Sequence, residues 1–362
     1  MDSSNYNFNV QIKKSNKIKN NKIYLNIFIL FIILIIIYFA LSKKYLFIIS
    51  KNNNSLLKIK TNIGIFEIDN IQPENIEREI LDKIINKLNG TSLMSTKELY
   101  FINGLIRKYR PKKLLEIGVC SGGVSATILN AIKDIEDAML YSCDLEIKHY
   151  LNNNYDVGYI PKQYFSELLN KWKLYLGNTT AAFIEEIGGN IDFVFIDTAH
   201  VMPGEVLNMI EILPFLKKNA IIVFDDINHH LINEVIEINY LHTCNNLLFS
   251  VLRGKKIVFE QKNNNIFNFS KLGAVILDDN QENYFFEYFY LLSNNWSYMP
   301  NKFEIDIIRK IVQKYYKPFF LSMFDKAVSI NYQILKKKGL LEKDYISYTF
   351  ANLNRIKPQY SL

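Results

Sequence analysis

The alternation of apolar and polar stretches divides the chain before any single residue is considered. Residues 1–22 are polar and lysine-rich, with no apolar periodicity, and read as a flexible basic tail. Residues 23–41, IYLNIFILFIILIIIYFAL, then run for 19 positions without a charge. At about 1.5 Å per residue such a helix crosses a hydrocarbon core of roughly 30 Å, so a transmembrane helix is expected. A cleaved leader is the competing reading, since lysines precede the run and Ala40 and Ser42 are small and suitably spaced. The run exceeds the usual leader length of about 7 to 15 apolar residues, which favours an uncleaved anchor. Residues 42–75 read as a linker, with asparagines at 52–54 and a short strand from Ile63 to Ile68.

Two helical patterns open the next part: Ile76, Ile80, Ile84 and Leu88 recur every fourth residue, and Leu99, Ile102, Leu105 and Ile106 at spacings of three and four. Short apolar runs then alternate with helical patterns. Strands are expected at Lys113–Ile117, Met139–Cys143, Leu174–Leu176, Phe193–Ile196 and Ala220–Phe224, and helices around Val124–Ile132, Gln163–Leu169, Thr180–Ile187 and Gly204–Leu216. This rhythm predicts βαβ units, hence an α/β fold with a mostly parallel sheet covered by helices on both faces. Lys256–Glu260 and Gly273–Leu277 leave no room for a crossover helix and are expected to pair as an antiparallel hairpin at the sheet edge. The catalytic domain is therefore placed at residues 76–278, and the aromatic, helical residues 279–362 are expected to be an extension packed on it.

Charge and cysteine content change little. A net charge of +7 suggests a nucleic-acid or membrane partner, but Lys13, Lys14, Lys17, Lys19 and Lys22 crowd ahead of the apolar run and account for much of it. Nucleic acid is disfavoured as a partner, because the lysines are not interleaved with aromatics around the motifs described next. Cys120, Cys143 and Cys244 are odd in number and lack metal-knuckle spacing, which argues for buried thiols in a reducing compartment.

The chemistry is concentrated after the first parallel strand. In LLEIGVCSGGVSATIL (114–129) a buried strand ends in an acid, glycines follow, and a helix opens. Cys120 stands where a dinucleotide-binding loop needs its second glycine, so pyrophosphate recognition is disfavoured. The pattern Glu116, Gly118, Gly122 resembles instead the first motif of class I S-adenosylmethionine-dependent methyltransferases. That resemblance implies a Rossmann-like domain whose loop wraps the methionine and ribose of the cofactor. It also implies that Asp144, ending LYSCD, accepts hydrogen bonds from the ribose hydroxyls. Asn178, in LYLGNTT, falls where related enzymes often carry an adenine-side Asp, although a turn Asn accounts for it as well.

Asp197 follows the strand IDFVFI, and Asp225 and Asp226 follow AIIVF, all at the carboxyl edge where open α/β sheets bind ligands. Together they resemble the metal site of magnesium-dependent O-methyltransferases, which implies Mg2+ held by Asp197, Asp225 and Asp226 and activating an acceptor hydroxyl. A helix cap at Asp225 or Asp226 is the plainer alternative. His200 stands in a D-x-x-H pattern with Asp197, and reads equally as a general base or as a cap of the next helix. His149 and His242 have no supporting context, and of the adjacent His229 and His230 at most one could face the site.

These readings predict a membrane-anchored S-adenosylmethionine-dependent methyltransferase acting on a hydroxyl of a small-molecule, sugar or lipid-linked acceptor. The anchor would be a single N-terminal helix, with the domain facing the cytosol, where the cofactor is made. The alternatives are a catalytically silent anchored scaffold and a nucleotide-dependent oxidoreductase.

Overall fold

The computed structural model describes residues 63–65, 75–88, 94–150, 152–228, 243–260 and 269–341. The expected transmembrane helix at 23–41 lies outside them, as do His229, His230 and His242. Among the described residues no helix is long and apolar enough to cross a membrane.

An eight-stranded sheet runs through the domain. In chain order its strands are β1 (Ile63–Ile65), β2 (Lys113–Ile117), β3 (Met139–Asp144), β4 (Trp172–Leu176), β5 (Ile191–Ile196), β6 (Leu216–Phe224), β7 (Gly254–Glu260) and β8 (Phe269–Leu277). Their order across the sheet is β1-β7-β8-β6-β5-β2-β3-β4. Strands β4, β3, β2, β5 and β6 are mutually parallel, while β8 is antiparallel to both β6 and β7. The hairpin is not the edge of the sheet as expected, because β1 pairs in parallel outside β7.

The central strands read as unbroken apolar runs because both faces are covered, as parallel sheets require. One face carries α1 (Asn75–Leu88), α2 (Thr96–Tyr109) and α3 (Gly123–Ile132), whose Leu81, Leu99, Ile102 and Ile128 cluster with Leu114, Phe193 and Val223. The short α4 (Tyr159–Tyr164) and α5 (Ile184–Ile187) lie in the connections around β4. On the other face α6 (Gly204–Ile212) and α7 (Cys244–Val251) meet α8 (Phe285–Tyr290), α9 (Lys302–Tyr315) and α10 (Pro318–Lys338). Val206 and Ile210 share one hydrophobic cluster with Ile222, Tyr288, Ile308 and Phe324, and the Tyr316 hydroxyl donates to the Ile210 carbonyl at 2.6 Å. The helices after residue 278 thus complete the core on this face.

Three expected helices are shorter than their patterns suggested, and the one over Thr180–Ile187 is a 3-10 turn at Thr180–Ala182 followed by α5. The one centred on 163–169 is α4 followed by a 3-10 segment at Ser166–Lys171, broken where Phe165 leaves helical geometry at φ −140°. The helix from Gly204 stops at Ile212, and Pro214 sits in a 3-10 turn that leads directly into β6.

Strand order reverses between β2 and β5: β3 and β4 continue to one side of β2, β6 and β8 to the other side of β5. The carboxyl ends at such a reversal diverge and leave a crevice, which is where ligands bind in open α/β sheets.

Candidate active site

The crevice is a cavity of about 490 Å3 whose wall includes the loop after β2, the ends of β3, β5 and β6, and Lys271 from β8. It unites most of the residues singled out in the sequence: Gly118, Asp144, Asn178, Asp197, His200, Asp225 and Asp226 all line it.

Glu116 and Gly122 do not line it. Glu116 is fully buried at the end of β2, and its Oε2 accepts hydrogen bonds from Ser125 Oγ at 2.7 Å and Ser142 Oγ at 2.5 Å. Trp172 Nε1 donates to the same Ser142 hydroxyl at 2.8 Å, so this carboxyl knots β2, α3, β3 and β4 together. Burial pushes its pKa up to about 8, against the lowering pull of the two serine hydroxyls. At neutral pH it is largely a carboxylic acid, and its role is structural rather than cofactor contact.

Gly122, at φ +85°, caps α3, and a Cβ there would lie 2.7 Å from Pro161 Cδ. The constraint on Gly118 is sharper. At φ +88° its amide donates to the Cys143 carbonyl at 2.9 Å, and its Cα faces the carbonyl of Asp197. Both glycines permit close packing of protein on protein, whereas the sequence suggested room for a ligand.

Asp144 binds the loop from the opposite side. Its Oδ2 accepts from the amides of Val119 at 2.8 Å and Cys120 at 3.0 Å, and its Oδ1 from the amide of Glu146 at 2.9 Å. Each carboxylate oxygen has two lone pairs, so Oδ1 keeps capacity for a hydroxyl of a bound ligand. Beneath the loop, the fully buried His149 places Nε2 3.4 Å from Cys120 Sγ, while Nδ1 accepts from the Asn152 amide. Burial raises the Cys120 thiol to about 12, which keeps it a neutral packing group. Asn178 lies at the cavity wall, where its Oδ1 accepts from the amide of the next residue, Thr179, at 2.9 Å.

The opposite wall is charged. His200 adopts a left-handed backbone, φ +60°, held by its amide donating to Glu205 Oε1, which also accepts from Thr198 Oγ1 at 3.1 Å. Glu205 is fully buried in the first turn of α6. The imidazole is ringed by acids: Nε2 lies 3.3 Å from Asp197 Oδ1 and 3.5 Å from Asp226 Oδ2, and Nδ1 lies 3.5 Å from Glu205 Oε1. Burial alone would lower its pKa, but Asp226, Asp197 and Glu205 overcome that and lift it to about 10. It rests as an imidazolium. In that form both ring nitrogens carry protons and the ring donates hydrogen bonds.

The expected magnesium site is corrected. Lys271 Nζ lies 3.1 Å from Asp225 Oδ2 and 3.4 Å from Asp226 Oδ1, between the two acids that were to hold the ion. Among the described residues, no group of three or more His, Cys, Asp or Glu side chains could hold a metal ion. Burial and its neighbour Asp226 raise the Asp225 carboxyl, while Asp225 and Asp226 raise the Lys271 ammonium against its own burial. Asp225 Oδ1 is buried without a hydrogen-bond partner, but an ion between the two acids would stand against the Lys271 ammonium, and that like-charge contact is why these residues as placed do not fit it.

Sequence reading missed Lys271, Glu205, Asn245 and the wall contributed by the C-terminal helices. Asn245, at the start of α7, donates to the Asp225 carbonyl at 2.8 Å and fixes the end of β6. Tyr298, Pro300, Glu304 and Ile308 close the cavity from the C-terminal side. The capping pair Asn301 and Glu304 was readable as a helix start, but nothing local to it points towards the cavity.

Comparison with known proteins supports the same region. Residues 115–227 match the family model of a methyltransferase domain. No curated protein matches the chain. Among solved structures, an O-methyltransferase from Bacillus cereus in complex with S-adenosylhomocysteine is 13% identical, covering 57% of this chain and 94% of its own at a TM-score of 0.42. The O-methyltransferase TomG from Streptomyces achromogenes, in complex with S-adenosylmethionine, is 11% identical over 57% of this chain and 92% of its own, at 0.41. The S-adenosylhomocysteine-bound methyltransferase PaMTH1 of Podospora anserina is 17% identical over 57% and 89%, at 0.42.

Proposed function

We propose that this chain, whose residues 115–227 form a class I S-adenosylmethionine-dependent methyltransferase domain, methylates a hydroxyl oxygen of a small-molecule, sugar or lipid-linked acceptor. The observation that carries the reading is the division of one cavity into two walls. The Gly118 loop, Asp144 and Asn178 form a cradle of backbone and hydrogen-bond acceptors, and Asp197, His200, Asp226 and Lys271 form a charged wall beside it. Asp144, with lone pairs to spare at the end of β3, suits a ribose diol, and Asn178 suits the edge of a base.

When bound, S-adenosylmethionine supplies a methyl group on a sulfonium that an acceptor oxygen displaces. The chain's own part is to hold that oxygen and remove its proton. The carboxylate of Asp197 takes the proton, and His200, whose ring lies between Asp197, Asp226 and Glu205, positions that carboxylate. Tyr298, Pro300 and Ile308 cover the cavity and limit water access.

The apolar segment 23–41 would hold the domain at a membrane, facing the cytosol, and bias it towards acceptors near that surface. Glycan attached at Asn89 or Asn295 would overturn this orientation. Calorimetric titration with S-adenosylhomocysteine tests the central reading: binding is expected, and its absence would favour a silent scaffold. Incubation with labelled S-adenosylmethionine and fractionated metabolites and lipids would then show which fraction takes the label.

A further inference from the structure

The charged wall contains a positive group that the chain supplies from a distance of 45 residues. Lys271 lies on β8, which pairs antiparallel with β6 through Phe224 and Gly273. Just beyond that pair the Ile227 amide donates to the Lys271 carbonyl at 2.9 Å, so the backbone of Lys271 is fixed beside the two acids that follow β6. Its side chain is only 18% exposed, and its ammonium meets Asp225 at 3.1 Å and Asp226 at 3.4 Å. This is not a surface lysine swinging in from solvent.

The other positive neighbour is His200, which bridges Asp226 and Asp197. Glu98 of α2, buried and tied to the Ser95 amide, adds to the negative field around Lys271. Lys271 therefore offsets part of the repulsion between Asp225 and Asp226, the repulsion that would otherwise favour a metal at that point.

We propose that Lys271 is a tethered cation: its ammonium occupies the place between Asp225 and Asp226 that a divalent ion would take, and it meets the acceptor oxygen in the metal's stead. The second half rests on the methyltransferase reading, and the first does not. An ammonium has three N–H donors; one is hydrogen-bonded to Asp225, the group lies 3.4 Å from Asp226, and Lys271 lines the cavity, where a further donor can meet a ligand oxygen. It differs from Mg2+ in kind. It donates hydrogen bonds instead of accepting an oxygen lone pair, and it cannot be removed by chelation.

The test titrates the full chain with MgCl2 by calorimetry and follows thermal unfolding with Mg2+ or EDTA. The wild type should show no Mg2+ heat and no shift in Tm with either. Lys271→Ala empties the seat and leaves Asp225 and Asp226 unneutralised, so it should gain Mg2+ affinity by at least about tenfold and unfold at higher temperature when Mg2+ is present. Should Lys271→Ala fail to fold, Lys271→Gln, one atom shorter, keeps a hydrogen-bond donor without the charge and should show the same gain. Mg2+ binding by the wild type, or a folded variant that gains none, overturns the proposal. S-adenosylhomocysteine binding, measured in parallel, reports on the methyltransferase reading alone, so the two can fail separately.

Discussion

A Cβ placed on Gly118 would lie 1.8 Å from the carbonyl oxygen of Asp197. The strand end that carries the first motif and the strand end that carries the candidate proton acceptor touch at this point, where Asp197 also donates its amide to the Ile117 carbonyl at 2.9 Å. Gly118→Ala would face both a backbone clash and a left-handed φ, and should cost more than about 3 kcal/mol. The check is thermal unfolding with no cofactor present. A large loss of Tm there assigns the glycine to packing, whereas an unchanged Tm with lost cofactor binding would assign it to the ligand.

Asp144→Ala should weaken S-adenosylhomocysteine binding about tenfold to hundredfold, the effect of losing one or two hydrogen bonds to a partly buried partner. It should also loosen the loop, because the amides of Val119 and Cys120 lose their acceptor. Calorimetry on the variant decides: unchanged affinity removes Asp144 from the cofactor site.

Glu116 gives the domain a pH dependence. Its carboxyl titrates near 8 in the folded chain, well above its ordinary value of 4.5, so the folded state holds the extra proton between those values. Stability therefore falls as pH rises from about 4.5 to about 8, and stays low above that. Glu116→Gln keeps the shape without the charge. Above pH 8 it should unfold at a higher temperature than the wild type, by the equivalent of roughly 4–5 kcal/mol, the order of magnitude that a shift from 4.5 to about 8 implies. Wild-type and variant curves that run parallel across this range would refute the assignment.

The same sign holds for His200, for a different reason. Its ring is raised from 6.5 to about 10 by the surrounding carboxylates, so its stabilising contribution is complete below pH 6.5 and is lost as pH rises through 10. Ring resonances followed by NMR should stay those of the imidazolium from pH 6 to pH 8. A ring that deprotonates within that range would restore His200 as a resting base.

Much of the parallel sheet was legible because β2, β3, β5 and β6 are buried on both faces and read as apolar runs ending in acids. The segment before β4 was not, since Pro161 and Phe165 bend it into two short pieces whose spacing mimics one helix. Lys271 was missed because the strand was read from Gly273 onward, and only the register between β6 and β8 reveals that Lys271, two residues before that glycine, reaches the acids. His200 was visible as a residue but not as a charge. Its protonation depends on Asp226 and Glu205, which meet it only in the folded chain.

A chain ending after Leu277 would lose the surfaces that cover Val206 and Ile210. Such a truncation should be insoluble or unfold far below the full chain, even though it keeps the whole first motif and every acid of the site. A soluble, cooperatively unfolding fragment would show instead that residues 279–341 are dispensable to the core.

The knot around Glu116 separates the stability of the sheet from the chemistry of the cavity. Ser125 and Ser142 donate to a carboxyl outside the site cavity, and Trp172 holds the Ser142 hydroxyl from behind. Selection for a folded sheet alone is enough to keep that glutamate in place. A lineage that lost Asp197, His200 or Lys271, and transferred nothing, would therefore still display the signature by which such domains are recognised. Loss of activity would show first in the charged wall, in residues that no short pattern joins.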